Sequence, residues 1–585
     1  MKRDRLLLSM QLFATIPPLL FILIYGHTLL YAVLGVSLLV LNGVNIYRYK
    51  RQVKLLDYPL WLMLILSFLI YANFHLGSKE SPQTFKRLQK NDTVMFSFHS
   101  PASIGRVCYY VGIDKSVNFT FDAKQNGHWY KAYNYDKNFP FSFRWRCFDR
   151  NITATEVRLR VTKHEMMLGE VRFFSQQGKA LIPHTSVEEV FDEPEKRVDT
   201  TFFGGMFFDE IYHSRTAYEL LHHLPVYETT HPYLGKYLIE PGIIWFGMTP
   251  YGWRVTNILF AAIFIVVMYY FGLLLFKRRS WAFVSAFLMT YSFMHLTQSR
   301  IGLIDTFGVL FVLTSYYFLY RFLLRQYLSN LWLSGLFFGL ASAVKWSAVF
   351  AVFGFILIAI WVLIIRYPLQ KRFYGYRLII YGFFSYGLLA GSIYLLSFFD
   401  IYIQTGSISR IFQYQVHMYH YHSALVSTHP YSSSWWSWPL DYKPMCYYRQ
   451  IKEGLFSSIT VFGNPAIFWG GIFSLVFLVY KIVKNATLTS AFILFAFIGL
   501  YAPYIFIGRL MFIYHFYYAV PFLILAVVYT LKSLYLYKKK AYVYICAYLV
   551  TVALLFLAYY PVLSGYAVPK FYVDYFLRWF PWWWL

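Results

Sequence analysis

Apolar runs of about twenty residues recur along most of this chain, and one long polar stretch interrupts them. A bilayer core about 30 Å thick takes about 20 residues of helix, so each run predicts a membrane crossing. Three come first, at about 7–25, 28–46 and 58–76. Ten more follow, near 253–276, 281–298, 303–323, 331–344, 346–366, 377–399, 459–481, 488–507, 511–532 and 541–561. The run 331–344 is short for a full crossing. Between the third and fourth runs the pattern changes. Over 90–190 the apolar period becomes two, in Val94-Met-Phe-Ser-Phe98, Val117-Asn-Phe-Thr-Phe121, Phe141-Ser-Phe-Arg-Trp145, Val157-Arg-Leu-Arg-Val161 and Glu170-Val-Arg-Phe-Phe174. Alternation of this kind, punctuated by turns such as Gln176-Gln-Gly178, predicts short strands of an antiparallel sandwich.

Composition agrees with the pattern. Of 585 residues, 58% are hydrophobic and 14% charged, well below the quarter usual in soluble domains. The net charge of +26 would suggest nucleic acid in a soluble chain. Here the basic residues sit in short loops between apolar runs: Lys2, Arg3 and Arg5; Arg48 to Lys54; Lys277 to Arg279; Arg321 and Arg325; Arg366, Lys371 and Arg377; Lys481 and Lys484; Lys538 to Lys540. Every one of these loops is cytoplasmic if the N-terminus is inside and the C-terminus outside, so the charge follows from topology and nucleic acid is excluded as a partner. The N-terminus imitates a signal peptide, but two further apolar runs follow closely, so a retained anchor is expected. Cys108 and Cys147 share the outer polar segment and could pair, while Cys446 and Cys546 are isolated and no metal-type Cys/His spacing occurs.

The expected fold is therefore an all-α polytopic membrane protein of about 13 helices with an inserted extracytoplasmic β-sandwich. Its segments are 1–76 with three helices, 77–195 the sandwich, 196–252 an outer loop, 253–399 a membrane core, 400–458 a second outer loop rich in Tyr, His and Trp, and 459–585 a C-terminal membrane region. Four polar patches fall on the outer side, at 200–252, 296–305, 400–458 and 508–515.

Those patches hold the candidate chemistry. Asp209 and Glu210 follow Phe207 and Phe208, and an acid beside apolar wall can keep a raised pKa and act as a base. His231 and Lys236 are held together by a turn with Pro232 and Gly235. Arg254 lies at the mouth of a span, Arg300 and Asp305 link two spans, Lys345 stands between two apolar runs, and Arg509 and His515 share an outer turn. Ionisable groups at membrane depth are functional candidates, though each also has a bland reading as a solvated, capping or snorkelling group. Acids together with several cations at one membrane face suit a lipid-phosphate substrate: cations bind the phosphate, and an acid activates a hydroxyl.

In this order, Asp209-Glu210, His231-Pro-Tyr-Leu-Gly-Lys236, Gly252-Trp-Arg254, Thr297 to Asp305 and Val344-Lys-Trp346 resemble the protein O-mannosyltransferases. Ser434 to Pro439, Gly463-Asn-Pro465 and Arg509 to His515 are similar to that family's C-terminal membrane region, so the likeness covers about 200–530. The resemblance implies a GT-C membrane fold and inverting transfer of mannose from a polyprenyl-phosphate donor to Ser or Thr of secreted protein. It implies that Asp209 and Glu210 hold and deprotonate the acceptor, with Asp209 the base, and that Arg254 contacts the lipid phosphate or braces the loop. His231, Lys236, Arg300, Asp305, Lys345, Arg509 and His515 are then substrate-binding or scaffold candidates. It places the protein in a bacterial cytoplasmic membrane, its site on the outer face. This sequence departs from the family in reading His231-Pro232-Tyr233 where a second proline is usual, and in a 400–458 loop too short for the β-trefoil domain of eukaryotic members. It also carries the β segment before the acidic pair, whose close at Glu165 to Gly178 resembles discoidin-type jelly rolls. No cofactor is required by these motifs, although Asp209 and Glu210 could hold a divalent cation. Two other readings remain open: a related transferase acting on a glycan or lipid acceptor, and a transporter or flippase of lipid-linked sugar. A transporter would place its ionisable residues near the midplane rather than at one face.

Overall fold

The computed structural model describes residues 2–25, 29–50, 57–114, 118–136, 142–366 and 379–585. The basic positions Arg51, Lys54, Lys371 and Arg377, and the strand-starting Val117 and Phe141, lie outside the described residues. Chain contacts divide the protein into two units, one of 1–75, 228–238 and 257–585, the other of 76–227 and 239–256.

The first unit is helical. Among the described residues, eight helices are long and apolar enough to cross a membrane: 250–276 (whose first turns belong to the second unit), 305–325, 346–364, 379–396, 465–485, 488–506, 520–537 and 542–564. Four shorter apolar helices cover 10–23, 33–48, 58–73 and 328–344. Phe383, Leu388 and Leu396 are exposed on 379–396, as a lipid-facing helix requires. The protein is an integral, multi-pass membrane protein. One expected span, 281–298, is not a single helix. It divides into Arg279–Thr290 and Phe293–Ser299, with Ser292 extended between them and the Asn464 side chain donating to the Tyr291 carbonyl at 3.3 Å. The thirteen expected spans are thus not thirteen unbroken helices among the described residues. A second interruption falls at Lys345: Leu328–Val344 ends there, and Lys345 is extended before the turn Trp346–Phe350. The segment 400–458 is also structured, containing the helix Ile408–Ala424 and the strand Met445–Lys452 that pairs with Leu455–Val461.

The second unit is built on strands β1 Lys86–Leu88, β2 Thr93–Asp114, β3 Asn118–Gln125, β4 His128–Asp136, β5 Arg144–Lys163 and β6 Met166–Ser175. All bond antiparallel in the order β1-β6-β2-β5-β3-β4 within one eight-stranded sheet, the last two strands being short additions at its margin. The expected antiparallel strands are present, and they pair into one sheet that folds over itself. The pairing of β2 with β5 slips between Ser97 and Ala102 and again between Ile104 and Arg106. Such bulges bend a strand and let it serve two layers. Tyr109 of β2 meets Phe119 and Phe121 of β3 at 5.2 and 5.9 Å, although β3 is not its ladder partner. The alternating apolar residues converge on that interior, from Val94 and Phe96 through Val107, Phe119, Val157 and Leu159 to Val171. Cys108 and Cys147, opposite each other on β2 and β5, form a disulfide.

Candidate active site

In the second unit the acidic pair opens the helix Glu210–Leu221. Its two members do different things. Glu210 is fully buried and its carboxylate takes a two-pronged contact from Arg254, Nε to Oε1 at 2.7 Å and Nη2 to Oε2 at 2.8 Å. Arg254 also donates to the carbonyls of Leu76 at 2.8 Å and Gly205 at 3.1 Å, and lies over the Phe207 ring. Gly205 is constrained to be glycine, because a Cβ there would come within 2.5 Å of Arg144 Cβ. At the other end of the helix, Glu219 accepts from Arg215 at 2.8 Å and from the Tyr227 amide at 2.7 Å. Both ends are therefore pinned by buried charge pairs. Asp209 is only half-buried, and its carbonyl accepts the amides of Tyr212 and His213 at 3.0 and 3.1 Å. Phe208 before it has φ of 50°, a left-handed conformation costly for a bulky residue, and such strain concentrates at functional turns. The idea that Asp209 and Glu210 share a divalent cation fits poorly, since both Glu210 oxygens already face a guanidinium.

The first unit encloses a cavity of about 610 Å³ whose lining includes His231, Lys345, Trp346, His422, Tyr504, Arg509 and His515. No carboxylate lines it among the described residues. Lys345, left between two helices by the break in the chain, reaches Asp305 at 2.9 Å and stands over the Tyr514 ring. Asp305 is the first residue of the helix Asp305–Arg325. The turn bearing His231 is tied by Glu228, which pairs with Lys236 and holds His231 Nδ1 at 3.1 Å. Lys236 also donates to the His231 carbonyl at 2.9 Å. Gly235 lets this turn approach Ile304, whose Cγ2 would lie 2.7 Å from a Cβ there. His515 donates from Nδ1 to the Phe512 carbonyl at 2.9 Å and stacks on Trp438 and Tyr514. Burial drives all three histidine pKa values down. Lys345 adds to the effect at His515; at His231 the nearby Glu228 opposes it; His422 is lowered to about 4 with help from His231 and Arg509. The imidazoles are thus neutral near pH 7, and the fixed positive charge is that of Lys345 and Arg509. An aromatic-lined cavity with two such cations suits an anionic group.

Of the residues singled out from sequence, His231, Lys345, Arg509 and His515 meet at this cavity, and Asp305 braces Lys345. Lys236 is buried in the turn as its tie. Arg300 is elsewhere: its guanidinium donates to the carbonyls of Tyr71, Ala72, Phe74, His75 and Ser564 at 2.6–3.1 Å, closing the end of the helix Tyr58–Asn73. It acts as a clamp on carbonyls at the ends of two helices. Sequence reasoning missed His422 and Glu228. His422 is one of several histidines on Ile408–Ala424, and only the helical phase of Tyr419, His422 and Ser423, all on the cavity wall, marks it out.

Two family models cover this architecture. The model for dolichyl-phosphate-mannose-protein mannosyltransferase matches 208–409, and that for the C-terminal four-helix membrane region of protein-O-mannosyltransferase matches 407–583. Together they span the acidic pair, both interrupted helices and the cavity. This chain belongs to the protein O-mannosyltransferase family. Among curated members, it is 24% identical over 430 residues to the polyprenol-phosphate-mannose–protein mannosyltransferase of Corynebacterium glutamicum, covering 60% of this chain and 81% of that one. The enzyme of the same name from Mycobacterium tuberculosis is 21% identical over 441 residues, covering 63% and 84%. The fold is similar to that of the S. cerevisiae protein O-mannosyltransferase Pmt1–Pmt2 complex bound to its sugar donor, with a TM-score of 0.57 at 13% identity over 64% of this chain and 88% of that one. The protein O-mannosyltransferase model begins at 208, after the folded sheet that this member carries.

Proposed function

We propose that this protein O-mannosyltransferase moves mannose from a polyprenyl-phosphate donor to Ser or Thr hydroxyls of secreted protein, on the outer face of a bacterial cytoplasmic membrane. The observation that carries the reading is the cavity, where Lys345 and Arg509 stand among neutral imidazoles and aromatic rings. Lys345 and Arg509 hold the lipid phosphate and stabilise the charge it gains on leaving. The acceptor oxygen attacks the anomeric carbon from the opposite side, its proton passes to Asp209, and the bond to the phosphate oxygen breaks with its electron pair, inverting the centre. Glu210 and Arg254 keep the turn that bears Asp209 in place. The names of the curated relatives support the donor class and a protein acceptor. The occupied Glu210 argues only against a cation shared by the acidic pair.

The test is transfer in proteoliposomes from labelled polyprenyl-phosphate mannose to a Ser/Thr-rich peptide. Wild-type protein is expected to label the peptide, and Asp209→Asn to lose about a hundredfold or more in rate while keeping its melting temperature. No labelling by wild type would overturn mannosylation of protein and turn attention to glycan acceptors. Equal rates would remove Asp209 as the base.

A further inference from the structure

His422 stands between two parts of the cavity wall, and its hydrogen bonds admit only one protonation state. Nε2 is 2.8 Å from the Thr230 carbonyl, which can only accept, so Nε2 carries the hydrogen. Nδ1 is 2.9 Å from Arg509 Nη1, which can only donate, so Nδ1 must be bare. The ring is wedged against His231 at 5.4 Å and Trp346 at 5.7 Å. It thus joins the turn of His231 to the guanidinium of Arg509 through one rigid group. We propose that His422 is a positioning residue for the donor: it aims Arg509 at the phosphate and acts through Arg509 rather than by touching the reacting atoms. This rests on the transferase reading given above. An imidazolium here would break the bond to Arg509 and stand among Arg509, Lys345 and His231. Its lowered pKa fits the neutral role.

A double-mutant cycle tests the claim, read by equilibrium binding of a fluorescent short-chain polyprenyl phosphate and by the KM and kcat of mannosyl transfer. His422→Phe keeps a ring and removes both bonds. It is expected to weaken phosphate binding and raise donor KM roughly tenfold, the scale of one hydrogen bond to a charged group, and to lower kcat as well, because Arg509 also stabilises the departing phosphate. His422→Gln can donate to Thr230 and accept from Arg509, so it should restore binding to within a few-fold of wild type. In an Arg509→Ala background, His422→Phe should cost nothing further. Losses that add in the double variant, or a Gln variant as weak as Phe, would overturn the positioning role while leaving transfer itself intact. Phosphate binding without any mannosyl transfer by wild type would instead sink the transferase reading, and the binding cycle would still decide His422. A wild type that does not bind the phosphate would overturn the role outright.

Discussion

Adjacent residues of one chemical type are where sequence says least and tertiary contacts say most. Asp209 and Glu210 are equivalent candidates on paper. Arg254, forty-four positions further on, separates them by taking both oxygens of Glu210. Removing one partner of a fully buried pair leaves an unpaired charge, at a cost of about 3–5 kcal/mol. Glu210→Gln is therefore expected to lower the melting temperature of the detergent-solubilised protein markedly, and Arg254→Met to do the same. Asp209→Asn, at a half-buried position, should melt with wild type. Equal melting of Glu210→Gln and wild type would show that the pair is not a brace. Lys345 was legible because a cation between two apolar runs is anomalous in any sequence. Arg300 was legible as an anomaly too, but not as a clamp, because its acceptors are backbone carbonyls from two distant helices.

At the scale of elements, periodicity located the strands well but not their lengths. The alternating pentads of 94–98 and 157–161 lie within strands of 22 and 20 residues. The remainder of the first carries Ser100, Pro101 and Gly105, and that of the second Asp149 and Asn151, residues that read as turns. The register slips that fold the sheet have no local signature, since they are set by what packs across the interior. The break at Tyr291–Ser292 was hidden for the same reason: Asn464, far along the chain, supplies a donor to the freed Tyr291 carbonyl. The bond between Cys108 and Cys147 closes a loop with a sequence separation of 39 between the two long strands. By loop-closure entropy it stabilises the sheet by about 4 kcal/mol. Reduction, or replacement of both cysteines by alanine, is expected to speed hydrogen exchange throughout 93–175 while leaving the membrane helices protected. Unchanged exchange would mean that packing alone holds the sheet.

For the whole molecule, composition was enough to declare a membrane protein, and the ordered motifs were enough to point to the family. The cavity was not legible, because it is assembled from a turn at 231, a helix break at 345, a helix at 422 and a turn at 509–515. Its electrostatics give a directional test. In the unfolded chain histidines titrate near 6.5. His231, His422 and His515 titrate lower in the folded protein, His422 at about 4. As pH falls below 6.5, the unfolded state takes up three protons that the folded cavity refuses, so stability falls until the folded pKa values are reached. Buried Asp441 opposes this, because burial raises its pKa and the folded state holds a proton that the unfolded state releases. His429 is lowered by burial too, so the lowered imidazoles outnumber Asp441, the folded unit is the poorer binder of protons, and the cavity is weaker in acid. Glu170, buried in the folded sheet with its pKa raised to about 7, has the opposite sign: its contribution is full below the unfolded value and is lost as pH rises through 7. Hydrogen exchange, corrected for the intrinsic effect of pH, should therefore show segments 228–238, 408–424 and 507–515 less protected at pH 5 than at pH 7.5. Strands around Glu170 should show the reverse. Cavity segments equally protected at both pH values would mean that the imidazoles accept protons in place, and that burial does not hold them neutral.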